Sequence, residues 1–132
     1  MRGLALYRSL TRHARQFRLW VLCLDDFTFE FLRKLALPEI TPISLRNLET
    51  GDEQLLHAKS NRSRVEYFFT CTPSLILYVF RNWPEVNLIT YLDADLFFFS
   101  DPSPIFDEQG NGSILIVGHR FPQHLRHFEI YG

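Results

Sequence analysis

No stretch of this 132-residue chain is apolar for long enough to span a bilayer. Its longest uninterrupted apolar runs fall far short of the roughly 20 residues that a transmembrane helix needs. Net charge is nearly absent as well: the balance is −1 at pH 7, which carries no global signal for nucleic-acid binding. Cysteine is scarce. Cys23 and Cys71 stand apart, with no CxxC and no Cys/His framework, so both read as buried thiols in a reducing compartment. No secretory signal, internal repeat or low-complexity tract is visible. Together these absences predict a cytoplasmic protein without a transmembrane segment, with peripheral contact at a membrane left open.

What is present is apolar and aromatic. Hydrophobic residues make up 46% of the chain, enough for one domain with a core, and thirteen phenylalanines point to large packed or interaction surfaces. Residues 1–20 contain Arg2, Arg8, Arg12, Arg15 and Arg18 and no acid. That pattern suits a presequence or a membrane-surface helix. It equally suits a helix covering a sheet through Leu4, Tyr7, Leu10 and Ala14, and a strand following at once favours the second.

Periodicity and punctuation predict helices over 3–14, 26–37, 49–61 and 73–82, and strands over 18–24, 40–45, 88–92, 97–99 and 113–117. Pro38 should end the second helix, Pro42 should limit the pairing of its strand, and Pro73 should open the fourth helix. Residues 109–112 read as a turn. Alternating helix and strand implies a three-layer α/β/α unit.

The richest motif is Asp93-Ala94-Asp95. It ends the run Val86-Asn87-Leu88-Ile89-Thr90-Tyr91-Leu92 and is followed by Leu96-Phe97-Phe98-Phe99. The first run predicts a buried strand, and ligand sites of open α/β sheets lie at strand ends. Two carboxylates there are costly to desolvate unless compensated, and a divalent cation is the usual compensation. Hard oxygen ligands suit Mg²⁺ or Mn²⁺, which keep positions open for water and substrate phosphates. The competing account is a pair of capping carboxylates. A calcium loop fits poorly, because the sixth position from Asp93 is Phe98 and the twelfth is Pro104.

The stretch from Tyr91 through Asp93-Ala94-Asp95 to Asp101-Pro102 resembles the D-x-D segment of GT-A-fold nucleotide-diphospho-sugar transferases. It is similar in particular to bacterial proteins related to glycosyltransferase family 8. The resemblance extends upstream through Arg64-Val65-Glu66-Tyr67-Phe68-Phe69-Thr70-Cys71-Thr72-Pro73 and downstream through residues 114–122. It implies a Rossmann-like GT-A domain over 1–132 that is incomplete. In that family a strand precedes the first helix, and an acceptor half with a metal-binding histidine follows later. It also implies a transferase that moves a sugar from a nucleotide-diphosphate donor to the hydroxyl of a glycan or lipid-linked acceptor. Asp93 and Asp95 would hold Mn²⁺ or Mg²⁺, Asp95 the more firmly, and the metal would neutralise the leaving nucleoside diphosphate. Arg64, rather than Arg62, would bind the donor's phosphate or sugar. The alternatives for the arginines are a solvated basic turn or a salt bridge to Glu66.

Other readings remain beside this one. A degenerate sugar-nucleotide-binding module, or an inactive fragment, would keep the motif without turnover. Haloacid-dehalogenase-type phosphatases also place Asp-x-Asp after a strand, but they need a later lysine and none follows Lys59. His119, His124 and His127 can be drawn as a zinc site, though no cysteine supports one. Asp101-Pro102 reads as the start of a turn.

Overall fold

The computed structural model describes residues 2–112 and 121–131. Among these residues the chain is a mixed α/β structure with one sheet of two parallel strands. The opening helix α1, Arg2–His13, buries Leu6, Ser9 and Leu10 along one face. Strand β1, Leu19–Cys23, passes through helix α2, Asp26–Leu35, to strand β2, Ile40–Ser44. This is a βαβ unit, in which the crossover helix is what permits the parallel pairing. The register sets Leu19 opposite Ile40 and Cys23 opposite Ser44. Pro42 faces Val21 in an edge strand, where the missing N–H costs least.

Local chemistry explains where each helix begins and ends. Asp25 caps α2, its carboxylate accepting the Thr28 N–H at 2.7 Å and the Thr28 hydroxyl at 2.9 Å. The helix stops at Ala36, which takes the left-handed conformation with φ 48°, two residues before Pro38. The helix expected over 49–61 begins four residues later, at Glu53, and a short helix not expected from sequence precedes it. A short helix α3, Leu45–Glu49, is capped by Ser44, and α4, Glu53–Asn61, is capped by Asp52. Between them Gly51 turns the chain at φ 80°, a conformation that glycine adopts without strain.

The helix expected to open at Pro73 starts nine residues earlier. Helix α5, Arg64–Asn82, is anchored by a capping box in which Ser63 and Glu66 satisfy each other's backbone N–H groups. Pro73 therefore sits in the helix interior on an exposed face and removes one rung of its hydrogen-bond ladder. Pro73→Ala should accordingly stabilise the chain by about 1 kcal/mol, the restored rung outweighing the added freedom of the unfolded chain. A lower midpoint in urea for this variant would mean that the proline kink is needed for packing.

The core gathers Leu48, Leu55, Ala58, Tyr67 and Cys71, with Leu22, Leu45, Phe68, Leu75 and Tyr78 packed around it. No phenylalanine is fully buried among the described residues, and Phe27 and Phe99 are 81% and 83% exposed. The aromatic surplus is thus mostly surface. No helix among the described residues is long and apolar enough to cross a membrane.

The largest departure from expectation concerns 88–92 and 97–99. Neither segment is a strand, and β1 and β2 pair only with each other among the described residues. Leu88 and Tyr91 are exposed, so the apolar run is not a buried one. A strand exists only where a neighbour supplies ladder partners, and this run has none there. The doubly wound three-layer sheet is consequently not seen in the described residues. The expected strand over 113–117 lies outside them, as does His119. His124 and His127 lie in a 3₁₀ helix, Gln123–Tyr131.

Candidate functional site

Asp93 and Asp95 sit on a turn closed by the Leu96 N–H bonding to the Asp93 carbonyl at 3.1 Å. Among the described residues side chains, not a ladder, hold this turn. Arg2 reaches Asp95 at 3.4 Å, and the buried Ser9 hydroxyl accepts the Phe98 N–H at 3.0 Å. Arg15 lies 3.8 Å from Asp101. Helix α1 is thereby the platform beneath the turn. On the other side, the Tyr91 hydroxyl donates to Asp93 at 2.9 Å and lies close to Thr72 of α5. That bond to the carboxylate raises the Tyr91 phenol above its ordinary range.

The two carboxylates differ in one respect from three other aspartates of the chain. Asp25, Asp52 and Asp101 each accept a backbone N–H, from Thr28, Leu55 and Ser103. Among the described residues Asp93 and Asp95 cap nothing; Asp93 takes only the Tyr91 hydroxyl and Asp95 only the Arg2 guanidinium. Asp95 keeps 57% of its side chain exposed, and an ion pair this exposed is easily given up. Asp101 opens the turn before α6, Ser103–Gln109, as expected.

Among the described residues no three His, Cys, Asp or Glu side chains converge as a complete metal cage. Two exposed carboxylates fit a different kind of site, one in which Mg²⁺ or Mn²⁺ keeps several waters and is shared with substrate phosphates. The donor set therefore suits the cation that the motif implies.

Arg64 lies elsewhere. It is the first residue of α5, and its guanidinium stacks 5.3 Å from the centre of the Phe68 ring. At 1.5 Å of rise per residue, Thr72 is about 12 Å further along the helix. Arg64 thus lines a separate crevice of about 350 Å³ with Leu24, Leu45, Lys59, Arg62, Tyr67 and Phe68. Leu24 follows β1 and Leu45 follows β2, so the crevice opens at the carboxyl ends of parallel strands. That is the usual location of ligand sites in α/β sheets. A larger hollow of about 530 Å³ near the end of α1 contains Arg15 and Glu39, but both are engaged, with Asp101 and Tyr7.

A polar network supports the crevice from inside. Glu49 accepts Lys59 Nζ and the Tyr67 hydroxyl, each at 2.7 Å. Burial, followed by the bond to Glu49, pushes the Tyr67 phenol far up. Sequence inspection missed Glu49, Lys59 and Tyr67 as a group; the Glu49-to-Lys59 interval crosses the turn at Gly51 and fits no single-helix spacing. Both thiols are buried and held in the protonated form. Burial, then the charge of Asp25, pushes Cys23 up to about 11, and burial also raises Cys71.

Comparison with known proteins finds two relatives. The chain is 37% identical over 115 residues to the uncharacterized protein YfnD of Bacillus subtilis (strain 168), an alignment covering 87% of this chain and 36% of YfnD. It is 36% identical over 114 residues to the uncharacterized protein YfnF of the same organism, covering 86% of this chain and 37% of YfnF. The chain thus spans little more than a third of these relatives' length. No protein-family model matches the chain, and no solved structure matches it.

Proposed function

We propose that this chain is part of a GT-A-type, Rossmann-like glycosyltransferase that moves a sugar from a nucleotide-diphosphate donor to an acceptor hydroxyl. The supporting observation is the pair Asp93 and Asp95, presented on one turn within the D-x-D sequence context and free of the capping duties that Asp25, Asp52 and Asp101 carry. Asp93 and Asp95 would hold Mn²⁺ or Mg²⁺, and the bound metal supplies Lewis-acid neutralisation of the diphosphate. Tyr91 orients Asp93 by its hydrogen bond, and Thr72 steadies Tyr91 against α5. Arg64 offers a planar fork of donors to a phosphate or sugar oxygen. A glycan or lipid-linked acceptor completes the reaction.

Thermal-shift titration tests the donor half. Mn²⁺ with a nucleoside diphosphate should stabilise the chain by about 1.4 kcal/mol at tenfold excess over the dissociation constant. Asp95→Asn should abolish that shift and leave the metal-free midpoint in place. A fall in the metal-free midpoint with an unchanged ligand shift would return Asp95 to a structural role. Binding without turnover of any sugar nucleotide would mark a binding module instead of an enzyme.

A further inference from the structure

Helix α5 is apolar on two faces, and between Glu66 and Arg81 it carries no charged residue. One face turns Tyr67, Cys71 and Val79 inward, the first two as members of the Leu55 cluster. The opposite face presents Val65, Phe69, Pro73, Leu77 and Phe80 in a row at helical spacing. Val65, Phe69, Leu77 and Phe80 stay 63%, 74%, 54% and 39% exposed. A helix that is hydrophobic all round is ordinarily covered all round. We propose that this stripe is a homodimer interface, in which the α5 helices of two copies pack antiparallel about a twofold axis at Pro73.

The pattern of the stripe selects a second copy as its occupant. An isologous interface must be complementary to itself, so residues equally far from the axis on its two sides must suit each other. At 1.5 Å of rise per residue, Phe69 and Leu77 each lie about 6 Å from Pro73, in opposite directions. Antiparallel packing therefore sets Phe69 of each copy against Leu77 of the other, and Val65 against Phe80. Glu66 and Arg81 lie about 11 and 12 Å from Pro73, so the acid of each copy meets the level of the other's base. Arg81 makes no ion pair within 4.0 Å among the described residues. Glu66 takes the Ser63 N–H and hydroxyl on one oxygen, Oε2, at 2.9 and 2.7 Å, which leaves Oε1 for Arg81. A parallel pair in register would set acid on acid and base on base instead.

Size agrees with pattern. The four exposed side chains offer roughly 400 Å² of apolar surface. A standard interface takes about 800 Å² from each partner and is a little over half apolar, on the order of 450 Å². The stripe alone supplies nearly all of that share, with Glu66, Ser74 and Arg81 placed to form a polar rim. By contrast α2 exposes Phe27 and Phe31 among Asp26, Glu30, Arg33 and Lys34. The dimer requires neither the carboxylate pair nor Arg64, so it stands apart from the sugar-nucleotide function proposed above.

Analytical sedimentation and disulfide cross-linking test it. At about 100 μM the unaltered chain should sediment as a dimer. Phe69→Glu should weaken association on the order of a hundredfold, because the change enters the interface twice. At a dilution where both chains are monomeric, its urea midpoint should match that of the unaltered chain, since Phe69 is exposed in a single copy. Phe27→Glu, at an exposed phenylalanine of α2, should not weaken association. Arg81→Glu, which sets acid against acid, should weaken it on the order of tenfold. Under air oxidation Pro73→Cys should form a covalent dimer by itself. Phe69→Cys should link to Leu77→Cys in a mixture but not to itself, because the two copies of position 69 lie about 12 Å apart along the helices, beyond a disulfide's reach. Cys23 and Cys71 are buried and do not compete. A monomeric unaltered chain would overturn the dimer and leave the stripe to a different partner. So would association that continues past two copies, equal weakening by Phe27→Glu, or self-linking of Phe69→Cys.

Discussion

Leu55→Ala is expected to destabilise the chain by about 3 kcal/mol and to lower its melting temperature on the order of 10 °C. Leu55 is fully buried at the centre of the cluster formed with Leu48, Ala58, Tyr67 and Cys71. Removing three carbons there costs their transfer out of water and leaves a void that close neighbours can only partly fill. The core has little to spare. The chain exposes 10540 Å², whereas a folded monomer of 15.6 kDa typically exposes about 7,200 Å². Leu56→Ala is the internal control, because Leu56 points outward and its loss should cost less than about 0.5 kcal/mol. Equal losses for the two variants in urea melts would show that the cluster is not the seat of stability.

Glu49→Ala is expected to cost about 3 kcal/mol near neutral pH, and the loss should shrink on acidification. The Glu49 side chain is 14% exposed and is the shared acceptor of Lys59 and the buried Tyr67 hydroxyl. Deleting it strands the buried Tyr67 phenol and takes from the half-exposed Lys59 ammonium its carboxylate partner. Burial pushes the Glu49 carboxyl up, but the bonds from Lys59 and Tyr67 and the Lys59 charge outweigh it, so the group titrates below its ordinary 4.5. A depressed folded-state value means that the native chain binds the proton less readily than the unfolded chain. The stabilisation is therefore complete above the unfolded value and is lost as pH falls through the lower, folded one. Stability of the unaltered chain should fall below about pH 4.5, and Glu49→Gln should flatten part of that slope. Asp25, Glu66 and Asp101 also titrate low because of their hydrogen bonds with Thr28, Ser63 and Ser103, so some slope should persist. A Glu49→Gln chain with the full acid slope would refute the assignment.

Much of the amino-terminal half was legible before the fold was known. The α1, β1, α2 and β2 segments carry their own signals in apolar spacing and in the stop at Pro38, and each appears within a residue or two of its expected bounds. Two failures are instructive. Ser63-Arg64-Val65-Glu66 spells a capping box, yet Pro73 drew the helix start to itself, although proline inside a long helix is a cost that a large packed face can bear. Residues 88–92 have strand composition, but a strand is a property of a pair, and no local pattern reveals whether a partner lies alongside. At the site, Asp93, Asp95 and Arg64 were each singled out from sequence. What sequence did not disclose is that Arg64 belongs with Lys59 and Arg62 in a crevice defined by Leu24 and Leu45, because that grouping depends on the crossover through α2.

Among the described residues no ladder runs under the Asp93 turn, and this sets its lifetime. The alternate backbone amides of β1 and β2 that face the partner strand should exchange with deuterium only when the sheet opens. Those of 88–92 have no such protection among the described residues, and the turn is tied down by Arg2, Ser9, Arg15 and Tyr91. Such ties break one at a time. The arm carrying both carboxylates can thus detach from α1 and α5 while the Leu55 cluster stays folded, an opening far cheaper than global unfolding. A ligand bridging the two carboxylates, if the proposed function holds, would therefore also set how often the arm detaches, and its arrival would be visible as slowed exchange at Leu96 and Phe98.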